Sequence, residues 1–159
     1  MSKHPILLAA AAAVWCSTAA AQPTVIPRLS TAPQDAERTF RMVRDYLSDP
    51  AHGLFTLVRA DRATHTIVAE RHAIDTQNWG EWAYCKLGPE QMLDTLENGA
   101  VTLTVKIKDA GGGASDLSVT ADFKGTYGLG GSETTAQCVS KGVLENRIIQ
   151  AAGGKPQGA

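Results

Sequence analysis

Three residues, His65, Glu70 and His72, have the side chains that metal ligation or acid–base chemistry requires. Glu70 and His72 are two residues apart in a β-rich run, and alternate residues of a strand project from the same face. An imidazole and a carboxylate on one face are suited to binding a metal ion or transferring a proton. The sequence nominates no further ligand, so a solvated strand face is the simpler interpretation. A hydrolase or metal-dependent enzyme built on these three residues remains an alternative.

Cysteine chemistry is restricted to Cys85 and Cys138 once the N-terminal segment that contains Cys16 is set aside. Two surviving thiols in an oxidising compartment most often pair with each other. Neither cysteine belongs to a CxxC motif, and no histidine is near either one in the sequence. A disulfide is therefore favoured over a redox or nucleophilic cysteine.

The glycine-rich segments do not match the known phosphate-binding or hydrolase patterns. The triglycine 111–113 lacks the Lys-Ser/Thr that follows in a phosphate-binding loop, and the glycines of 128–131 follow no βαβ pattern. The chain also contains no Gly-x-Ser-x-Gly and no His-Glu-x-x-His motif. The sequence therefore predicts no catalytic residue and no cofactor.

An aromatic cluster, Trp79, Trp82 and Tyr84, lies within six residues of sequence. Such clusters fill a core or anchor a partner, because aromatic side chains supply a large contact area with few rotatable bonds. Core filling beside the disulfide is the favoured interpretation. A partner or ligand surface on these residues is the best functional candidate in the chain, and a small-ligand carrier with its pocket near Trp82 and Tyr84 stays open.

The N-terminus has the pattern of an export signal. Lys3 precedes an apolar run over residues 6–15, and the small residues of 19–21 precede an expected cleavage after Ala21. The run is about 10 residues long, whereas a spanning helix needs about 20. A bulky tryptophan before Cys16 disfavours lipidation there without excluding it. We therefore expect a periplasmic or secreted protein without a transmembrane segment in the mature chain.

The charge balance argues against a nucleic-acid partner. The chain has 15 Lys and Arg against 16 Asp and Glu, a net charge of −1, and loss of Lys3 with the signal makes it −2. A local excess of arginines, at 38, 41 and 44, is interleaved with Glu37 and Asp45 at spacings that form ion pairs on a helix. A solvated, ion-paired helix face is expected there.

The N-terminal half predicts a helix followed by a β-hairpin. Thr31 and Gln34 have the spacing of a capping box, and apolar residues at helical spacing predict a helix over 33–48. Two β-rich runs, 54–60 and 66–74, then flank a polar tip that contains Asp61. This order resembles the helix–hairpin modules of bacterial envelope proteins such as the C component of the outer-membrane assembly machinery. The resemblance covers residues 33–74, rests on organisation and not on a diagnostic motif, and implies a binding or scaffolding role in the envelope.

The C-terminal half predicts a hairpin of two half-buried strands. Apolar residues alternate with polar ones over 101–107 and again over 117–123, with the triglycine as the connecting loop. The remaining predicted elements are a turn at 78–80, a strand over 82–85, a short helix that starts at Pro89 and ends at Asn98-Gly99, a loop over 125–132, a strand over 134–139 and a last helix that Ser140 caps and Gly153-Gly154 ends.

Together these elements predict an α+β fold, a single antiparallel sheet of about five to six strands with N- and C-terminal helices packed on one face. The expected organisation is a signal peptide over 1–21, an extended leader over 22–31, one domain over 32–153 and a flexible tail over 154–159. The function expected is that of a small exported, non-enzymatic protein that binds an envelope partner, as an adaptor, inhibitor or immunity protein does.

Overall fold

The computed structural model describes residues 25–52, 55–74, 76–86, 95–129 and 132–156. The predicted signal peptide with Cys16, the first residues of the helix predicted from Pro89, and the last residues of the predicted tail lie outside them. The described strands are β1 Arg28–Ala32, β2 Thr56–Asp61, β3 Thr66–Ile74, β4 Ala83–Cys85, β5 Thr95–Gly111, β6 Ala114–Leu129 and β7 Ser132–Ser140. The described helices are α1 Ala36–Ser48, α2 Thr76–Trp82 and α3 Val143–Ala151, with a short 3-10 turn at Pro50–His52.

The seven described strands form one antiparallel sheet in the order β2-β3-β5-β6-β7-β4, and β1 also pairs with β6. The long strand β6 pairs with two strands along the same edge. Its first part pairs with β1 and its last part pairs with β7. This confirms the predicted α+β fold and antiparallel sheet. The strand count exceeds the prediction because the extended segment before α1 is itself hydrogen-bonded to the sheet.

Strict alternation of apolar and polar residues makes β5 and β6 half-buried strands. Their odd-numbered residues from Val101 to Ile107 and from Leu117 to Phe123 are buried, whereas Thr102, Thr104, Ser118 and Thr120 between them are not. The hairpin turns at the predicted triglycine, where all three glycines have the positive φ that side chains disfavour. The sheet therefore has one buried face and one face that the described helices leave open.

Helix α1 covers the buried face with an apolar stripe. Phe40, Val43 and Leu47 are buried at spacings of three and four residues, as an amphipathic helix requires. The helix begins later than predicted, because Thr31 belongs to β1 and Asp35 is the N-cap, whose side chain accepts a hydrogen bond from the Arg38 backbone N–H at 2.8 Å.

Helix α3 packs against α1 and β6 through Leu144, Ile148 and Ile149. Its N-cap is Gly142 and not the predicted Ser140. The Ser140 hydroxyl instead accepts a hydrogen bond from the Gly142 backbone N–H at 2.9 Å. Ser140 therefore supports the turn that leads into the helix, and Gly153, with a φ of 75°, follows its end as predicted.

Three predictions that relied on glycine as a turn signal were wrong. The segment 78–80 lies within α2, the pair 98–99 lies within β5, and residues 125–129 belong to β6. Gly99 and Gly125 are direct partners in the β5–β6 register. They leave room for the Trp79 ring, whose atoms would lie 2.5 Å from a side-chain carbon added at Gly99 and 3.2 Å from one added at Gly125. These two glycines thus accommodate a packed ring and not a turn.

Candidate functional site

The residues that the sequence nominated for metal or acid–base chemistry occupy two separate places. Glu70 and His72 do come together on β3, with 3.3 Å between Glu70 Oε2 and His72 Nε2, and Thr102 Oγ1 lies 3.5 Å from Glu70 Oε1. His65 lies at the tip of the β2–β3 hairpin, where its Nε2 is 3.5 Å from Glu37 Oε2 of α1. The predicted trio is therefore not assembled.

The hairpin tip with His65 is docked on the first turn of α1. Glu37 accepts a hydrogen bond from Arg62 Nε at 3.0 Å, and the ring of His65 packs edge-on against Phe40 with 5.9 Å between centroids. The hydrogen bond from Arg62 lowers the pKa of Glu37, with further lowering from His65 and Arg41. These contacts give His65 a positioning role in the hairpin. Within the described residues, no three His, Cys, Asp or Glu side chains are arranged to hold a metal ion.

The aromatic cluster is divided between the core and the surface. Trp79 and Trp82 are buried, and Trp79 packs edge-to-face on Phe123 with 5.5 Å between ring centroids. Trp82 is the last residue of α2 and not part of the predicted strand, and the Arg71 guanidinium lies 5.0 Å from its ring centroid. Of the three predicted surface residues, only Tyr84 is exposed.

Tyr84 belongs to an exposed apolar patch that includes a residue the sequence analysis missed. Tyr84 of β4 is paired directly with Val139 of β7, and the two side chains are 52% and 47% exposed. Opposed residues of an antiparallel pair bring their side chains into contact. We refer to these two residues as the Tyr84–Val139 patch. The cysteines contain the sequence signal for this patch. If Cys85 and Cys138 pair across two antiparallel strands, then Tyr84, which precedes one cysteine, lies opposite Val139, which follows the other.

The predicted cysteine pair lies directly beneath this patch. Cys85 and Cys138 are partners in the β4–β7 register, their Cα atoms are 4.2 Å apart, and their sulfur atoms are within disulfide-bonding distance. Cys138 is buried, and its strand partner on β6 is the buried Phe123. Because side chains alternate along a strand, the patch projects from the opposite, open face of the sheet.

Polar side chains border the patch on the open face. Asp122 accepts a hydrogen bond from the Gln137 side-chain amide, which also donates to the Phe123 carbonyl oxygen at 3.1 Å. Lys124 is exposed and pairs with Gln137 in the β6–β7 register. The patch therefore has an apolar centre beside hydrogen-bonding and charged groups.

Tyr127 lies on the other face, in the core beside the glycine pair that receives Trp79. Its side chain is buried, and an added carbon at Gly125 would lie 2.7 Å from its ring. Burial raises the pKa of the Tyr127 hydroxyl, an effect that the neighbouring Trp79 side chain opposes. A tyrosine hydroxyl is already neutral near pH 7 and burial reinforces this, so Tyr127 contributes to packing and brings no charge to the core.

Comparison with known proteins yields no family and no relative by sequence. No protein-family model matches the chain, and no curated protein matches it. The crystal structure of a DUF4468 family protein from Bacteroides ovatus ATCC 8483 is similar with a TM-score of 0.39 and 12% sequence identity, over 70% of this chain and 59% of that one. This chain thus spans less than two thirds of the length of that neighbour. Among the described helices, none has the length and hydrophobicity to span a membrane.

Proposed function

We propose that this protein is exported to the bacterial envelope, has no enzymatic activity, and binds a protein partner there through the Tyr84–Val139 patch. The observation that carries the proposal is the exposure of this tyrosine–valine pair on the open face of the sheet. Tyrosine is enriched among the residues that dominate binding energy, because its ring buries a large area at a small cost in side-chain entropy.

The sheet beneath the patch makes it a pre-organised surface. Tyr84 and Val139 each directly adjoin a cysteine of the Cys85–Cys138 pair. A cross-link at this point fixes both strands relative to each other before a partner arrives. Binding then loses less conformational entropy than it would on a mobile edge strand.

Several observations support a location in the bacterial envelope. The sequence pattern before Gln22 is that of a cleavable signal, and a cysteine pair at bonding distance suits an oxidising compartment. The helix–hairpin resemblance of residues 33–74 to envelope modules is consistent with the same location. An adaptor, an inhibitor or an immunity protein would each combine these features.

The proposal is tested by affinity capture from envelope extract with a surface variant and a matched control. The variant Tyr84→Ser/Val139→Ser removes the patch. The control Val58→Ser removes an equally exposed apolar side chain, 57% exposed, from β2 at the other end of the strand order. We expect the native chain and the control to retain one partner in stoichiometric amount, and the double variant to lose it by about tenfold or more.

Two results would overturn the proposal. One is capture of no stoichiometric partner by the native chain. The other is equal capture by the native chain and the double variant, provided that both give the same circular dichroism spectrum and therefore the same fold.

A further inference from the structure

A second feature of the open face is a groove at the end of the sheet where β1 pairs with β6. It encloses a volume of about 550 Å³, and its lining includes Leu29 of β1, Lys106 and Lys108 of β5, and Asp116 and Ser118 of β6. We refer to it as the lysine groove. Volumes of this size are typical of small-molecule sites, which range from about 300 to 1,000 Å³.

The two lysines outnumber Asp116, the carboxylate in the groove lining, so the lining has a net positive charge. Within the described part of the chain, no carboxylate lies within 4.0 Å of either ammonium group. Asp116 is the register partner of Lys108, yet its Oδ1 accepts a hydrogen bond from Thr31 Oγ1 at 2.9 Å. The groove is therefore complementary to an anion.

The apolar part of the groove lies beside the charged part. Leu29 pairs with Ser118, and Ser118 pairs with Lys106 in the next strand. Leu29 is 56% exposed, so its side chain is accessible to a ligand. One row across three strands thus presents, in order, an apolar side chain, a hydroxyl and an ammonium group.

The backbone of β6 has few free hydrogen-bonding groups for a ligand at the centre of the groove. Residues 115–119 of β6 are paired with β1 on one side and with β5 on the other. A peptide that binds by adding a strand needs unpaired backbone groups, which the centre of this face lacks. At the centre of the groove recognition must therefore come from side chains, and those available favour one anionic group joined to one apolar chain.

We infer that the lysine groove binds a fatty-acid carboxylate, with the head group between Lys106 and Lys108 and the hydrocarbon chain against Leu29. Lysine is a compact point charge with three donors, and pairing with it would satisfy a carboxylate without a fixed fork geometry. The site does not depend on the Tyr84–Val139 patch, so the two proposals stand or fall separately.

The head-group contact is tested by isothermal titration of the purified full chain with dodecanoate, kept below its micelle-forming concentration. We expect one site, and about tenfold weaker binding in Lys106→Gln/Lys108→Gln, because hydrogen bonds to charged groups make large contributions. The matched control is Lys86→Gln, which removes an exposed lysine that follows β4 and does not line the groove. Its affinity should stay within about twofold of the native value.

The chain contact is tested with Leu29→Ser and with two reference ligands. We expect Leu29→Ser to bind dodecanoate about fivefold more weakly, as loss of a partly buried aliphatic contact predicts. Acetate has the head group without the chain, and dodecyl maltoside has the chain with a neutral head group. Both should bind far more weakly than dodecanoate.

Any of four results would overturn the inference: no dodecanoate binding at millimolar concentration, equal binding of dodecyl maltoside, unchanged affinity in the double lysine variant, or tighter binding of an acidic peptide than of dodecanoate. All of these are measured with purified components. Their failure would therefore leave the proposed protein partner untouched.

Discussion

At the scale of single residues, the β2–β3 hairpin contains a carboxylate, Asp61, whose pKa is well below its ordinary value. Asp61 Oδ1 accepts hydrogen bonds from the backbone N–H groups of Ala63 at 3.0 Å and Thr64 at 3.2 Å, while Oδ2 pairs with Arg59. The Arg59 contact, followed by the backbone donors, lowers the pKa of Asp61 from its ordinary 3.8 to about 2. The charged form of this aspartate therefore stabilises the turn.

We predict that Asp61→Asn lowers the Tm by a few degrees at pH 7 and that the difference from the native chain closes as the pH falls from 4 to 2. The folded pKa lies below the unfolded one, so the stabilisation is complete above about pH 4 and is lost as pH falls through about 2. Thermal unfolding at pH 7, 4 and 2 measures this. Asp45→Asn, which removes an exposed aspartate paired with Arg44 at 2.6 Å, is the control.

A Tm difference that stays constant down to pH 2 would show that the effect of Asp61 does not depend on its charge. An unchanged Tm of Asp61→Asn at pH 7 would show that asparagine fills the same hydrogen-bond acceptor role. Asp45→Asn should have little effect on Tm at any of the three pH values, because exposed ion pairs contribute little to stability.

The separation of His65 from Glu70 and His72 could be predicted in part from their spacing in the sequence. His65 and Glu70 are five residues apart, an odd number, so a continuous strand would place them on opposite faces. His65 also has a φ of 45°, which belongs to the turn and not to the strand. The pairing of Glu70 with His72 was predictable from their even spacing, whereas the contact of His65 with Glu37 required knowledge of how α1 packs.

At the scale of elements, a tryptophan of α2 packs into a space that two glycines leave in the sheet. The Trp79 ring packs over Gly99 and Gly125, which face each other across β5 and β6, and meets Phe123 edge-on. A methyl group at Gly99 would lie 2.5 Å from Trp79 Cε3, which is closer than packed carbon atoms approach.

We predict that Gly99→Ala lowers the free energy of unfolding by about 1–3 kcal/mol, because overpacking displaces the tryptophan ring from its site. The matched control is Gly80→Ala in α2, where an added carbon would have no neighbour within 4 Å. Alanine there should be neutral or stabilise by up to about 1 kcal/mol, since glycine is unfavourable within a helix. Denaturant unfolding followed by tryptophan fluorescence measures both.

Equal stability of Gly99→Ala and the native chain would mean that the ring can move aside without loss. A destabilised Gly80→Ala would show instead that α2 does not tolerate a better helix former. Either outcome would contradict the packing account of these glycines.

The elements that the sequence predicted well are those with a local signal. Alternation in β5 and β6 predicted their pairing and buried face, and the apolar spacing in α1 predicted its stripe. The glycines of residues 98–99 and 125–131 carry a similar local signal for turns, but their role at 99 and 125 depends on a ring that is distant in sequence. A single sequence does not reveal such a pairing across strands.

At the scale of the whole molecule, β4 is the element with the weakest support. It has three residues, ends the strand order of the described sheet, and pairs only with β7 among the described strands. It nevertheless carries Tyr84 of the proposed partner surface. Its backbone pairing alone is short, so a covalent link to β7 is the physical reason that this edge keeps its register.

We predict that Cys85→Ser/Cys138→Ser lowers the free energy of unfolding by up to about 4 kcal/mol, which is the loop-entropy value for cysteines 53 residues apart. Intact mass of the exported chain, with alkylation before and after reduction, first shows whether the thiols are protected. Thermal unfolding then compares the native chain, the reduced native chain and the variant, which lacks both thiols. Reduction should reproduce the Tm loss of the variant, because both remove the same restraint on the unfolded chain. Alkylation without reduction would contradict the pairing, and an unchanged Tm in the variant would mean that the backbone ladder of β4 with β7 holds this edge without the link.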